Sequence, residues 1–210
     1  LATIGNFNNH IGVPLTLLRM NKEHEIAIIE MGANHVQEIE TLCKIAEPNY
    51  GVITSIGKAH IGEFGSYEAI KNTKAELYQW LANHQGTTFI NEDLDVLNEM
   101  IQKTSAEKII NYGTKSNFQY SYQYIDSNPF VNFYLKDKIV KTQLPGEYNF
   151  SNFITACTIG QYFEVPIDKI ISVLSSYQSD NNRSQILHKD GLTLIMDAYN
   201  ANPSSMESAL

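Results

Sequence analysis

The stretch that decides the fold runs from Gly51 to Leu81 and reads GVITSIGKAHIGEFGSYEAIKNTKAELYQWL. It opens on a short apolar run at 51–54 that predicts a strand, and it ends in a helical pattern from about Tyr67 to Leu81. Ser66 is the candidate N-cap of that helix, because its hydroxyl can accept a hydrogen bond from a free N–H of the first turn. The stretch therefore predicts a strand, a glycine-rich loop and a helix in succession.

The same unit recurs on both sides of this stretch. Upstream, the apolar run Ile26–Ile29 predicts a strand buried on both faces. It is followed by a helical pattern in which four apolar residues share one face: Val36, Ile39, Leu42 and Cys43. Downstream, residues 88–90 and 108–110 predict two more strands around a helix at 94–101. This alternation predicts an α/β fold with a mostly parallel sheet flanked by helices.

The pattern changes between residues 118 and 144, where aromatic and β-branched residues alternate with polar ones. This segment predicts an antiparallel β insertion. Helices are expected again at about 150–163 and 167–177, and a hairpin at 185–199. The polar residues 179–182 mark the expected boundary between a central domain, 1–180, and the truncated start of another, 181–210.

Composition limits the class of protein. The chain has 210 residues, of which 43% are hydrophobic and 18% charged, as in a globular protein with one substantial core. A formal net charge of -8 argues against general nucleic-acid binding. No apolar run reaches the roughly 18 residues that a membrane span needs, so we expect a cytoplasmic protein without membrane insertion. Cys43 and Cys157 fit reduced core thiols.

Two residues follow predicted strands and could bind a metal ion. Glu30 ends the first strand and His60 lies in the loop after the second. Ligands of open α/β sheets bind outside the carboxyl ends of the strands, where a carboxylate is well placed to hold Mg²⁺. Each residue also has a simpler interpretation, since a glutamate there is often a helix cap or surface charge and a loop histidine is usually solvated.

Three further residues are candidates on helices. Lys74 lies on the helix after the His60 loop, and sequence alone favours an exposed, solvated lysine. Asn149 and Asn152 lie three residues apart at a helix start, where their amides could face the edge of a base, although asparagine is also a favoured N-cap. Residues 51–58 do not form a phosphate loop, because the glycine spacing is wrong and Ala59 follows the lysine.

Seven pieces of the sequence, in order, resemble the Mur ligase family, most closely its branch that adds D-alanyl-D-alanine. These pieces are Gly5–Leu15 (GNFNNHIGVPL), Glu30–His35 (EMGANH), the His60 loop, Lys74–Leu77 (KAEL), Gly146–Asn152 (GEYNFSN), Asn182–Ser184 (NRS) and Asp197–Pro203 (DAYNANP). The resemblance covers nearly the whole chain. It implies the P-loop-like central domain of a Mur ligase and the start of the C-terminal domain.

The resemblance also implies an activity and its partners. Such a ligase forms an amide in the cytoplasm, using ATP and two Mg²⁺ ions, by way of an acyl phosphate. Its substrates would be UDP-N-acetylmuramoyl-tripeptide and D-alanyl-D-alanine, in cell-wall peptidoglycan synthesis, and the protein is expected to be a monomer. The rivals left open are another ligase of the superfamily, similar to folylpolyglutamate or cyanophycin synthetase, and a binding module without catalysis.

The family's roles transfer to this chain by motif position. Glu30 and His60 would be metal ligands, and Lys74 matches a lysine that CO₂ converts to a carbamate supporting the second Mg²⁺. Asn149 and Asn152 would face the adenine.

Two more pairs have roles implied only by the resemblance. Arg183 and Asp197 would reach phosphate and ribose, and Asn8 and Asn9 would lie near the muramoyl substrate. The resemblance places a phosphate loop upstream of Leu1, and a UDP-binding domain before that. We therefore expect the 210-residue segment alone to be inactive and to bind ATP weakly.

Overall fold

The computed structural model describes residues 1–57, 61–179 and 185–196, except for the side chains of Ile61 and His188. The chain divides into two compact units. The first comprises Leu1–Ile90 and Asp95–Ile110, and the second comprises Asn91–Leu94 and Asn111–Leu210. The predicted domain boundary, between residues 180 and 181, lies outside the described part and stays a prediction.

The helices and strands alternate through the first unit, as predicted. In chain order the elements of the protein are α1 (Gly12–Leu17), α2 (Glu38–Ala46), β1 (Tyr50–Val52), α3 (Ile61–Phe64), α4 (Tyr67–Asn83), β2 (Thr87–Asn91), α5 (Asp95–Ile101), β3 (Lys108–Gly113), β4 (Tyr120–Asp126), β5 (Phe130–Leu135), β6 (Lys138–Pro145), α6 (Tyr148–Tyr162), α7 (Ile167–Ser176), β7 (Gln185–Lys189) and β8 (Leu192–Met196). No described helix is long and apolar enough to cross a membrane.

The main sheet confirms the predicted α/β class. Six described strands follow the order β1-β2-β3-β4-β5-β6. The pairs β1–β2 and β3–β4 are parallel, whereas β4–β5 and β5–β6 are antiparallel and form the predicted insertion. The separate pair β7–β8 is the predicted hairpin, turning at Asp190 and Gly191, which both have positive φ.

The core of the first unit joins α1 and α2. Val13, Ile39, Leu42 and Cys43 are buried there, and Leu77 and Trp80 of α4 pack against them. Helix α4 begins where Ser66 predicts it, because the Ser66 hydroxyl accepts a hydrogen bond from the N–H of Ala69 at 3.1 Å. The same core thus holds the helix that carries Lys74.

Two details of the first unit were predicted wrongly. The run Ile26–Ile29 forms no regular strand; it makes one parallel bridge, Ala2 to Ile28, and Ile26 and Ile28 are 46% and 64% exposed. Only Ile29 packs against the core, because that core covers one side of the run. Val36 does not share the apolar face of α2. It is exposed and precedes the helix, which begins only after Gln37, a residue with a φ of 66° that is not helical.

The second unit has an aromatic core with satisfied hydroxyl groups. Phe133 stacks on Phe153, and the buried Tyr122 hydroxyl lies 2.8 Å from Oγ1 of Thr158 on α6. The Thr158 hydroxyl donates to the carbonyl of Ile154, so Tyr122 is the donor to Thr158. These bonds allow phenol groups to be buried between the sheet and α6 without loss of hydrogen bonding.

Candidate active site

Glu30 and Asn8 are two predicted site residues that the structure brings together. The Asn8 side-chain amide donates a hydrogen bond to Oε1 of Glu30 at 2.9 Å. The Glu30 side chain is exposed, and its Oε2 atom has no hydrogen-bond partner among the described residues. One carboxylate oxygen is therefore held in place while the other remains available to a ligand.

Gly32 permits this arrangement. Its N–H donates to the backbone carbonyl of Asn8 at 2.7 Å, so the two segments lie side by side. A Cβ atom at Gly32 would lie 2.8 Å from Nδ2 and 2.9 Å from Cγ of Asn8. Only glycine therefore leaves room for the Asn8 side chain in the position from which it reaches Glu30.

Asn9, the second residue predicted to lie near substrate, has a local role. Its side-chain oxygen accepts hydrogen bonds from the N–H groups of Ile11 and Gly12, at 3.0 and 2.9 Å. These bonds satisfy free donors at the start of α1. The side-chain oxygen of Asn9 thus accepts hydrogen bonds from the backbone. The side-chain amide nitrogen is exposed and has no partner among the described residues.

Lys74 lies on α4 and is partly buried, unlike the exposed lysine that the residues alone favour. Burial lowers the pKa of its ammonium group. Its Nζ atom makes no ion pair or hydrogen bond with another residue in the part of the chain that the structure describes. By contrast, Lys71, one turn earlier, pairs with Glu68 at 2.7 Å.

Glu76, two residues beyond Lys74, has a role that the sequence reasoning missed. Its carboxylate accepts hydrogen bonds from the N–H groups of Gln37 at 3.0 Å and Glu40 at 2.8 Å, and so caps the start of α2. Burial raises the pKa of this carboxyl, and the two backbone donors oppose the rise. Glu76 ties α4 to the segment that follows Glu30. In the sequence, only its position two residues after Lys74 drew attention to Glu76.

The start of α6 holds the two predicted base-binding residues, in the second unit. Asn149 is 7% exposed, and its amide nitrogen donates to the carbonyl of Pro145 at 2.8 Å. Asn152 is exposed, and its amide nitrogen lies 3.3 Å from the side-chain oxygen of Asn149. The two amides therefore lie together, as their spacing predicts, and Asn152 is the more accessible of the pair.

Asn91 also belongs to this region and was missed. It ends β2, and its amide nitrogen donates to the Ser151 hydroxyl at 3.0 Å, between the two predicted asparagines. The rule that drew attention to Glu30, a polar residue at the carboxyl end of a strand, applies equally to Asn91.

Three predicted site residues cannot be placed. His60, Arg183 and Asp197 lie outside the described residues. Within residues 1–57, 61–179 and 185–196 no group of three His, Cys, Asp or Glu side chains is arranged to hold a metal ion. The predicted metal site, which needs His60, therefore stays a prediction.

The α/β sheet and the ordered motifs are those of a ligase domain. The profile of the Mur ligase middle domain matches residues 1–160, and the chain belongs to the Mur ligase family. Within the family its similarity is to the MurF type. The UDP-N-acetylmuramoyl-tripeptide--D-alanyl-D-alanine ligase of Bacillus subtilis (strain 168) is 34% identical over 99% of this chain and 45% of its own length.

Solved structures agree with this assignment. A crystal structure of MurF from Acinetobacter baumannii aligns with a TM-score of 0.83 and 31% identity, over 100% of this chain and 47% of that one. MurF from Thermotoga maritima, in complex with ADP, shares the fold with a TM-score of 0.82 and 24% identity, over 100% of this chain and 49% of that one. The chain thus spans about half the length of the relatives it matches.

Proposed function

We propose that the full-length protein is an ATP-dependent amide ligase of peptidoglycan precursor synthesis. It would join D-alanyl-D-alanine to UDP-N-acetylmuramoyl-tripeptide in the cytoplasm, where both ATP and the UDP-linked precursor are available. The observation that carries this proposal is the 34% identity over 99% of the chain to a ligase of that name. The monomeric state expected from the resemblance is part of the same proposal.

The reaction has two steps. The tripeptide carboxylate attacks the γ-phosphorus of ATP, the bond to the bridging oxygen of ADP breaks, and an acyl phosphate forms. The amine of D-alanyl-D-alanine then attacks the acyl carbon, phosphate leaves, and the amine loses a proton. Magnesium ions, when bound, would offset the negative charge of the transferring phosphoryl group and of the attacking carboxylate.

Glu30, His60 and a carbamylated Lys74 are the residues that would hold two Mg²⁺ ions. The described groups fit a hard cation, because Glu30 offers a carboxylate oxygen without a described partner and Asn8 fixes the other oxygen at 2.9 Å. Lys74 suits carbamylation because its Nζ has no described partner to displace. The ammonium group first loses a proton to give the neutral amine. The amine nitrogen then bonds to the carbon of CO₂ and loses a second proton, which replaces a cation with an anionic oxygen donor.

The remaining predicted residues would contact the substrates. Asn149 and Asn152 would meet the adenine, a role supported by their adjacent amides at the start of α6. Arg183 and Asp197 would reach phosphate and ribose. The bond from Asn8 to Glu30 supports a place for Asn8 close to the reacting carboxylate, with Asn9 beside it near the muramoyl group.

The test uses the full-length protein. Phosphate release should require ATP, Mg²⁺, UDP-N-acetylmuramoyl-tripeptide and D-alanyl-D-alanine together, and mass spectrometry should find the pentapeptide product. Release that proceeds with L-glutamate or another amine in place of D-alanyl-D-alanine would favour the rival ligases. ATP binding without turnover under any of these conditions would favour the binding module. The 210-residue segment alone should release no phosphate.

A further inference from the structure

Asn91 is buried at the end of β2, and both polar atoms of its side chain are hydrogen-bonded. It is 2% exposed, its side-chain oxygen accepts a hydrogen bond from the N–H of Asp93 at 3.0 Å, and its amide nitrogen donates to the Ser151 hydroxyl at 3.0 Å. An amide bonded at both ends has a fixed orientation. It therefore holds Ser151 at a defined distance from the strand.

The start of α6 depends on such bonds. Glu147, the residue before the helix, makes no side-chain capping bond in the described structure. The Ser151 carbonyl accepts a hydrogen bond from the Thr155 hydroxyl at 2.8 Å, and that hydroxyl lies 2.7 Å from the Tyr112 hydroxyl. Ser151 is thus held through its side chain by β2 and through its carbonyl by β3. Its sequence neighbours are Asn152 and, two residues before, Asn149.

We propose that Asn91, acting through Ser151, is a positioning residue that sets the preference of the α6 amides for adenine over guanine. The inference rests on the proposed nucleotide role of Asn149 and Asn152. Adenine presents an amino donor beside a ring-nitrogen acceptor, and guanine presents the reverse order on the same edge. Amides of fixed orientation can hydrogen-bond to one order of donor and acceptor. A base with the reverse order would leave donors and acceptors unpaired. Without the Asn91–Ser151 bond the first turn of α6 can shift, and both bases are accommodated.

Ser151→Ala is the sharpest variant. It removes the hydroxyl that Asn91 holds, whereas alanine favours the helix, which limits the effect on folding. Ser151→Thr retains a hydroxyl and is the conservative rescue. Ser176→Ala is the matched control, because Ser176 also lies on a helix of the second unit and its hydroxyl bonds only a local carbonyl, that of Val173 at 3.1 Å.

The experiment measures Kd for ATP and GTP by titration calorimetry on the full-length protein, together with KM for ATP and kcat. We expect Ser151→Ala and Asn91→Ala each to raise Kd and KM for ATP about tenfold and to lower the ATP:GTP preference about tenfold, as the loss of one fixed hydrogen bond implies. We expect kcat to stay within about twofold, because the bond does not touch the reacting atoms. Ser151→Thr and Ser176→Ala should behave as wild type.

Two results would overturn the inference. One is wild-type Kd and nucleotide preference in Ser151→Ala, and the other is an equal loss of affinity for ATP and GTP in parallel with lost stability, as a purely structural role requires. The double variant should be no weaker than either single variant, since both remove the same bond. Failure of the ligase assay, with the expected shifts in Kd for ATP and GTP still observed, would instead count against the proposed function alone.

Discussion

The two regions that carry predicted site residues differ in how their polar groups are satisfied. In the first unit, Lys74 and one oxygen of Glu30 have no partner among the described residues. At the start of α6 in the second unit, Asn149 and Asn91 are buried and hydrogen-bonded to protein atoms. Groups without partners can bind a ligand directly, whereas hydrogen-bonded groups are held by the protein in a fixed orientation. Loss of the first kind should therefore reduce activity, and loss of the second should reduce stability or selectivity.

Lys74→Met should have the largest effect on activity. Methionine is apolar and about as long as the stem of lysine, so it removes a partly buried charge without leaving a cavity. We therefore expect unchanged or slightly higher thermal stability. The kcat of the full-length enzyme should fall about 10³-fold, the scale for losing a group that stabilises transition-state charge. Lys71→Met is the control, since Lys71 pairs with Glu68 and lies over the ring of Tyr67, both on the same helix. A similar loss of kcat in both variants would remove the special role of Lys74.

Gly32→Ala should have the next largest effect. The added Cβ would lie 2.8 Å from Nδ2 of Asn8 and would displace the side chain that holds Glu30. We expect about a 10- to 100-fold loss of apparent Mg²⁺ affinity in the full-length enzyme, measured from the Mg²⁺ dependence of phosphate release, as for other residues that orient metal ligands.

Asn8→Ala serves as the matching variant for Gly32→Ala. It removes the same hydrogen bond without adding an atom, and it should lower the Mg²⁺ affinity to the same extent. Wild-type Mg²⁺ dependence in both variants would show that the bond between Asn8 and Glu30 has no part in metal binding.

Tyr122→Phe tests the opposite kind of group. The change leaves Oγ1 of Thr158 without its donor, and it leaves Nε2 of Gln161 with only the longer bond to the Cys157 carbonyl at 3.4 Å. Urea unfolding should therefore report a loss of about 2 kcal/mol. The KM for ATP should not change. Tyr177→Phe is the control, because Tyr177 is 49% exposed and its hydroxyl has no partner in the described chain. Equal stability of the two variants would contradict the contrast drawn between the regions.

Glu76→Ala should have the smallest effect on stability. It removes the acceptor for the N–H groups of Gln37 and Glu40, and the loss of a helix cap costs about 1 kcal/mol in unfolding free energy. Glu68→Ala, on the same helix, removes the ion pairs of an exposed carboxylate with Lys71 and Lys103 and should leave the urea midpoint nearly unchanged. A midpoint for Glu76→Ala that matches the Glu68→Ala value would show that α2 does not depend on this cap.

Local patterns predicted most helices and strands correctly. Helix α4 begins after Ser66, and β7 and β8 turn at Asp190 and Gly191, because capping and turn preferences act within a few residues. The run Ile26–Ile29 shows where this reasoning fails. An apolar run has the same appearance whether one face or both are covered, and its neighbours in space, not in sequence, decide between them.

The candidate site divides in the same way. The motifs placed Lys74, Asn149 and Asn152 on the helices where the structure has them, whereas Glu30 follows a run that forms no regular strand. They gave no account of Asn8 donating to Glu30 or of Glu76 capping α2. Those contacts join residues 22 and 36 positions apart, and local preferences carry no information at that range.

The sequence by itself determined the family, the order of α/β elements and the residue types available for chemistry. Tertiary structure alone decided which of those polar groups have no hydrogen-bond partner among the described residues and which are hydrogen-bonded within the protein. The physical reason is that hydrogen-bond satisfaction depends on which atoms folding brings within about 3 Å of each other. The bond from Asn91 to Ser151 is an example, because it joins residues 60 positions apart and underlies the position that we propose for the first turn of α6.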